Sequence, residues 1–134
     1  MESTKPQLAY WNIRHLSSAL RYQLAYCKVD YDMKTYALGE APEFSKEEWL
    51  SKKYELGLSF PNLPYFIDGD VSLTETIPIH KYIADKWMPE LLGKDPKTRG
   101  TVGMMANVIY EFKFKLAVGY YTTGLVEQGQ EAIR

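Results

Sequence analysis

The sequence predicts an α/β fold: a strand–helix–strand unit, a short helix, a hairpin and a closing helix, followed after a linker by one further long helix. Three observations lead there. Leu16, Leu20, Leu24 and Cys27 recur at helical spacing between two short strand-like runs. Two further strand-like runs flank Asp68-Gly69, a dipeptide that favours tight hairpin turns. "GKDPKTRG" (93–100) then reads as a linker, and a long helical pattern follows it.

Taken in order, "QLAYW" (7–11) is apolar enough for a buried strand. "LSSALRYQLAYCKV" (16–29) is the helix carrying that stripe, and "YDMKTYAL" (31–38) mixes polar and apolar residues as a half-covered strand does. This order favours a parallel strand pair joined by a right-handed crossover. "GEAPEFSKEEW" (39–49) is a loop running into a short helix over 45–57. Ser45 is the expected N-cap there, with Glu48 completing a capping box three residues on. "LPYFIDGDVSLTE" (63–75) is the hairpin, and "TIPIHKYIADKWMPELL" (76–92) is a helix capped by Thr76. Pro78 is tolerated in its first turn, where N–H groups have no intrahelical partner. "MMANVIYEFKFKLAVGYYTTG" (104–124) is the last helix, and the chain divides into 1–92 and 93–134.

Pro64 needs a reason to be where it is. It has no N–H and weakens any central ladder. Either the strand starts after it, or the residue before it, Leu63, is held open for a ligand. The 134 residues are 46% hydrophobic and 25% charged, which suits a soluble domain with a real core. A net charge of −1 points to neither nucleic acid nor membrane as a partner. The polar "ESTKPQ" behind Met1 is no secretory segment, and no apolar run spans a bilayer, so a cytoplasmic location is expected. A lone Cys27 excludes an internal disulfide framework, and no metal site is expected. Eleven tyrosines imply buried hydroxyls that need partners.

Four motifs in order, "YWNIRHLSSALR" (10–21), "GEAPEFSKEEWLSKK" (39–53), "FPNLPYFIDG" (60–69) and "LTETIPIHKYIA" (73–84), resemble the cytosolic glutathione S-transferases. The mu class is the nearest likeness, including its long loop before the short helix. The resemblance covers residues 7 to 99 and weakens after them. It implies a thioredoxin-like βαβ–α–ββα domain followed by the start of an all-α domain. It further implies conjugation of glutathione, as co-substrate and with no other cofactor, to hydrophobic electrophiles.

Residue by residue, the likeness makes Tyr10 the catalytic group, its O–H favouring the thiolate of glutathione over the thiol. Trp11, Arg14 and Leu16 follow Tyr10 as in the family, where they line or support the site. Lys46, Trp49 and Lys53 face the glycine carboxylate, with Lys46 a point charge where most mu members carry arginine. Asn62, Leu63 and Pro64 form the central strand of contacts. The family's matching proline is cis, which turns the backbone of Leu63 toward the cysteinyl backbone. Glu75 and Thr76, at a helix N-terminus, hold the γ-glutamyl end. His15 stands where the family has a glycine that lets the loop approach the ligand, so it narrows or retunes the site. Trp49 has either a packing or a ligand reason to be on so charged a segment. His80 reads as a surface or packing residue, and Cys27 without a CxxC partner argues against a thioredoxin-type reductase.

Phe60 matches the aromatic key that mu members insert into a second subunit, with packing inside its own domain as the alternative. The last helix carries two apolar stripes, Met105-Val108-Ile109-Phe112-Leu116 and Tyr110-Phe114-Ala117-Tyr121. A helix apolar on most sides is buried on most sides. One stripe can pack on the first domain; the other needs helices this chain does not contain, or a partner. Ile109 stands where the family sends an acidic residue across its dimer. Two readings follow: a glutathione transferase, homodimeric or part of a larger assembly, and a non-catalytic docking subunit with the same fold.

Overall fold

A strand can lie buried in mid-sheet only if both its edges are hydrogen-bonded, and β1 (Gln7–Trp11) meets that condition. In the computed structural model, which describes residues 5–40 and 42–122, β1 pairs on both sides. Its parallel neighbour is β2 (Asp32–Tyr36), in register from Gln7 opposite Asp32 to Trp11 opposite Tyr36. Its antiparallel neighbour is β3 (Tyr65–Asp68), with Ala9 opposite Tyr65. β4 (Val71–Thr74) pairs with the far edge of β3, giving the order β2-β1-β3-β4.

Two helices pack against this sheet. Helix α1 (Leu16–Tyr26) and helix α3 (Thr76–Trp87) close one core, formed by Leu8, Leu20, Leu24, Phe66, Ile79 and Ile83, none of which is solvent-accessible. The expected stripe thus supplies this core through Leu20 and Leu24. Gln23 ties the two helices: its amide donates to the His80 carbonyl at 3.0 Å, and its side-chain oxygen meets His80 Nδ1. His80 is therefore a packing residue.

Helix α1 stops short of the expected residue 29, and the backbone shows why. Lys28 has φ 55°, its N–H bonds to the Ala25 carbonyl, and the Val29 N–H reaches back to Leu24. Those two bonds are the Schellman pattern, completed by Val29 packing on the core that holds Leu24. Cys27 sits half-buried at this cap, where burial and then the Glu90 carboxylate push its thiol up. A thiol so placed is a poor nucleophile.

Helix α2 is a single turn, Glu47–Leu50, preceded by Lys46 rather than Ser45. The Ser45 hydroxyl accepts the Glu47 N–H, at 3.3 Å, and the Glu48 carboxylate bonds Ala37 instead of closing a capping box. The hairpin turn is Gly69-Asp70, one residue later than the dipeptide signal indicated. Gly69 takes φ 63°, and Asp68 ends β3 with its carboxylate accepting from Tyr82 Oη and Lys86 Nζ. Helix α3 is preceded by Glu75, so Thr76 is its first residue and not its cap. It ends at Trp87, because the residue before a proline avoids helical geometry, and a 3-10 turn over Pro89–Leu92 follows.

The chain forms two compact units that divide between Leu91 and Leu92. In the second, helix α4 (Pro96–Thr122) begins inside the stretch expected as linker. Asp95 starts it: its carboxylate accepts the Thr98 N–H at 2.8 Å and the Thr98 hydroxyl at 3.0 Å, and these bonds hold its carboxyl below the usual range. Pro96 follows at the first helical position, where its missing N–H costs nothing. Gly93, at φ 97°, is required because a Cβ there would meet Thr98 Cγ2 at 2.8 Å. Met105, Val108, Ile109, Phe112, Phe114 and Leu116 are exposed along α4. The Tyr121 side chain and residues 123–124 of the expected helix lie outside the described residues. Among the described residues no helix is long and apolar enough to cross a membrane.

Lys28 holds a left-handed conformation that glycine takes without strain. Lys28→Gly is expected to stabilise the domain by roughly 0.5–1 kcal/mol, the relieved strain less the added chain entropy. A urea midpoint that falls in the variant, at unchanged slope, contradicts this.

Candidate functional site

The second core, on the α2 side, gathers residues singled out from the sequence. Tyr10, Trp49 and Leu63 are buried there with Ala9, Tyr36, Leu58 and Tyr65, and Trp11 and Leu16 pack half-buried against them. Tyr10 is placed by register: the β1–β2 ladder sets it opposite Thr35, one residue before the strand ends. Leu16 follows as the first residue of α1.

The Leu63–Pro64 peptide is cis. The paired registers of β3 begin at Tyr65, opposite Ala9 on one side and Thr74 on the other, so Leu63 precedes both ladders. The first explanation of Pro64 holds: the strand starts after it, and Leu63, its side chain buried, lies outside both ladders. Asn62, its neighbour, donates from its amide to the Glu75 carboxylate at 2.8 Å.

Glu75 is itself unusual, at φ 71° and ψ 132°, where a side chain is strained. That turn delivers Thr76 to the N-terminus of α3, 6% exposed. Thr76 Oγ1 is buried and has no hydrogen-bond partner among the described residues. A hydroxyl in that state, beside the free N–H groups of a helix start, suits an incoming anion. His15 precedes α1 at φ 137°, a glycine-like conformation, and its N–H donates to Ser18 Oγ at 3.3 Å. The backbone has kept the glycine shape although the side chain is present.

Trp49 has a packing reason. Its indole is 4% exposed, stacks on Tyr65 with ring centres 6.0 Å apart, and meets Tyr36 edge-on at 5.2 Å. Lys46 is exposed just before α2, and Lys53, just after it, is half-buried beside the Tyr54 ring. Phe60 lies 80% exposed and belongs to neither core. A cavity of about 320 Å³ adjoins the site, lined by Trp11, Ile13, Arg14, Arg21, Met33 and Thr35.

The supports of the site carry no position-specific signal in the sequence. Tyr36 and Tyr65 share a hydroxyl–hydroxyl bond of 3.1 Å, and Tyr65 Oη also donates to Gln7 Oε1 at 3.3 Å. Burial, then the bond to Tyr36, keeps the Tyr65 hydroxyl protonated far above its ordinary range. The abundance of tyrosine foretold such pairs without saying which ones. By sequence Glu48 fits a local cap, and no local signal separates that role from a bond to Ala37. Gly39 makes the latter possible, since a Cβ there would sit 2.9 Å from Ser45.

Residues 6–85 match the family model described as glutathione S-transferase, N-terminal domain. The chain is 39% identical over 115 residues to glutathione S-transferase Mu 2 of Mus musculus, covering 86% of this chain and 52% of that protein. It is 51% identical over 85 residues to a glutathione S-transferase of Tyrophagus putrescentiae, covering 63% and 38%. The crystal structure of the glutathione S-transferase Blo t 8 superposes with a TM-score of 0.75 at 30% identity, covering 91% of this chain and 54% of that one. The chain thus spans about half the length of the Mu 2 relative. Its sheet order, its cis-proline and these likenesses agree that the chain belongs to the glutathione S-transferase family and carries that family's thioredoxin-like N-terminal domain.

Proposed function

We propose that this chain binds glutathione and, as a glutathione transferase, activates its thiol for attack on hydrophobic electrophiles. The buried Thr76 hydroxyl carries the reading: it stands at a helix start without a partner among the described residues, as a carboxylate-binding donor should. Glu75, turned out by its backbone and steadied by Asn62, is available to the γ-glutamyl amine. Leu63, ahead of both ladders, offers its backbone to the cysteinyl residue. Lys46 and Lys53 bring positive charge to the glycine carboxylate, with Trp49 anchoring the turn between them.

Chemistry in this reading is brief. The thiol releases its proton, the Tyr10 O–H donates to the resulting thiolate, and the sulfur forms a bond to an electrophilic carbon. The electron pair displaced from that carbon leaves with the leaving group or, where the carbon ends an activated double bond, shifts out of that bond onto the neighbouring carbon, which then takes up a proton. Tyr10 makes the thiolate more populated at neutral pH. The compartment is the cytosol, where thiols are kept reduced. The transferase names of the relatives favour this over a docking role. The exposure of Phe60 favours its use as an anchor in a second subunit over packing within its own domain.

Three outcomes test the proposal. Thr76→Val removes only the hydroxyl, so glutathione affinity should fall by roughly 1–3 kcal/mol while the free protein keeps its stability. Calorimetry with equal affinity for both proteins would remove Thr76 from the site. Tyr10→Phe should leave glutathione affinity intact and raise the apparent pKa of the bound thiol, read from ultraviolet thiolate absorbance against pH. An unchanged titration would leave Tyr10 without a catalytic role. Phe60→Ser should move the protein toward smaller species in light scattering with its helix content preserved, and an unshifted mass would contradict the anchor.

A further inference from the structure

We infer that Glu48 is a positioning residue for the glycine end of the glutathione site, fixing where Lys46 and Lys53 hold their charges; the inference rests on the reading of the site given above. Helix α2 is one turn of four residues, too short to be stable by itself. Its place is therefore set by what it is tied to. Trp49 supplies one tie, its indole held between Tyr36 and Tyr65. One anchored ring sets depth but leaves the turn free to pivot about it.

Glu48, the adjacent residue, supplies the second point. Its Oε2 accepts the Ala37 N–H at 2.7 Å, and its Oε1 lies 3.9 Å from Lys34 Nζ. Ala37 directly follows the last paired residue of β2, Tyr36, whose carbonyl accepts the Asn12 N–H at 2.8 Å. The carboxylate thus fastens α2 to the strand pair that carries Tyr10. The Gly39 N–H bonds to the Ser45 carbonyl at 2.9 Å and closes the base of the intervening loop. Ring and carboxylate together fix both the depth and the rotation of the turn. Lys46 stands at its start and Lys53 just beyond its end, so their spacing from Tyr10 depends on that rotation. The Glu48 side chain is 47% exposed, so its removal opens no hole in the core.

The test compares two ligands, glutathione and its glycine monoethyl ester, in which the carboxylate facing the α2 lysines is masked. Titration calorimetry on the full chain should show Glu48→Ala binding glutathione about three- to tenfold more weakly than wild type. Both proteins should bind the ester equally. Glu48→Gln, which keeps an oxygen acceptor at the same reach, should recover most of the loss. Glu48→Asp, which keeps the charge but falls short of Ala37, should behave as Glu48→Ala. Equal glutathione affinity in wild type and Glu48→Ala overturns the inference, as does a loss shared by the ester or a Gln variant as weak as the Ala one. A wild-type protein that binds no glutathione overturns the reading of the site itself, and this inference with it.

Discussion

Strand β1 is hydrogen-bonded along both edges, and the rest of the domain is arranged around that constraint. A strand so paired can send side chains into both cores. Leu8 enters the one under α1 and α3, and Ala9 and Tyr10 the one beneath α2. Full burial of a leucine or isoleucine is worth about 1.5–3 kcal/mol, and the Leu8 core collects several. The register carries the functional consequence. A slip of one residue would exchange the two faces of β1, so the packing of Leu8 holds Tyr10 where it is.

The α2 side is held differently. Its core is aromatic and partly polar, and it works because the hydroxyls satisfy one another. Tyr36 and Tyr65 bond through their oxygens and Tyr65 continues to Gln7, so two phenols are buried without an unpaired donor. These tyrosines belong to the scaffold. Burial keeps the Tyr65 phenol neutral, so it remains a hydrogen-bond donor at any ordinary pH. Onto this platform Trp49 lays its indole, which gives a one-turn helix a fixed seat.

Two of the strained backbone positions, Glu75 and His15, fall where ligand contacts are expected. Glu75 and His15 both hold positive φ with side chains present, each just ahead of a helix. Such conformations persist only where the surroundings enforce them. At Glu75 the enforcement is visible: Asn62 grips its carboxylate, and the ladder of β4 ends one residue earlier at Thr74. The reward is the orientation of the α3 N-terminus and its buried threonine.

The order of elements, the stripe of α1 and the likeness to a family were readable in the sequence by itself, because each is written in local periodicity or in side chains at fixed spacing. Element ends were less readable. The stop of α1 depends on Lys28 adopting a left-handed shape, and the start of α4 depends on Asp95 capping a run whose glycine, proline and charges look like linker. Only the tertiary structure decided what Glu48, Trp49 and Asp68 do. Each has a plausible local role as cap, ligand or turn residue. The choice falls to partners eleven or more residues away, Ala37 for Glu48 and Tyr82 for Asp68 among them. A hydrogen bond between residues distant in sequence leaves no periodic trace along the chain, since it exists only once the backbone has brought its two ends together.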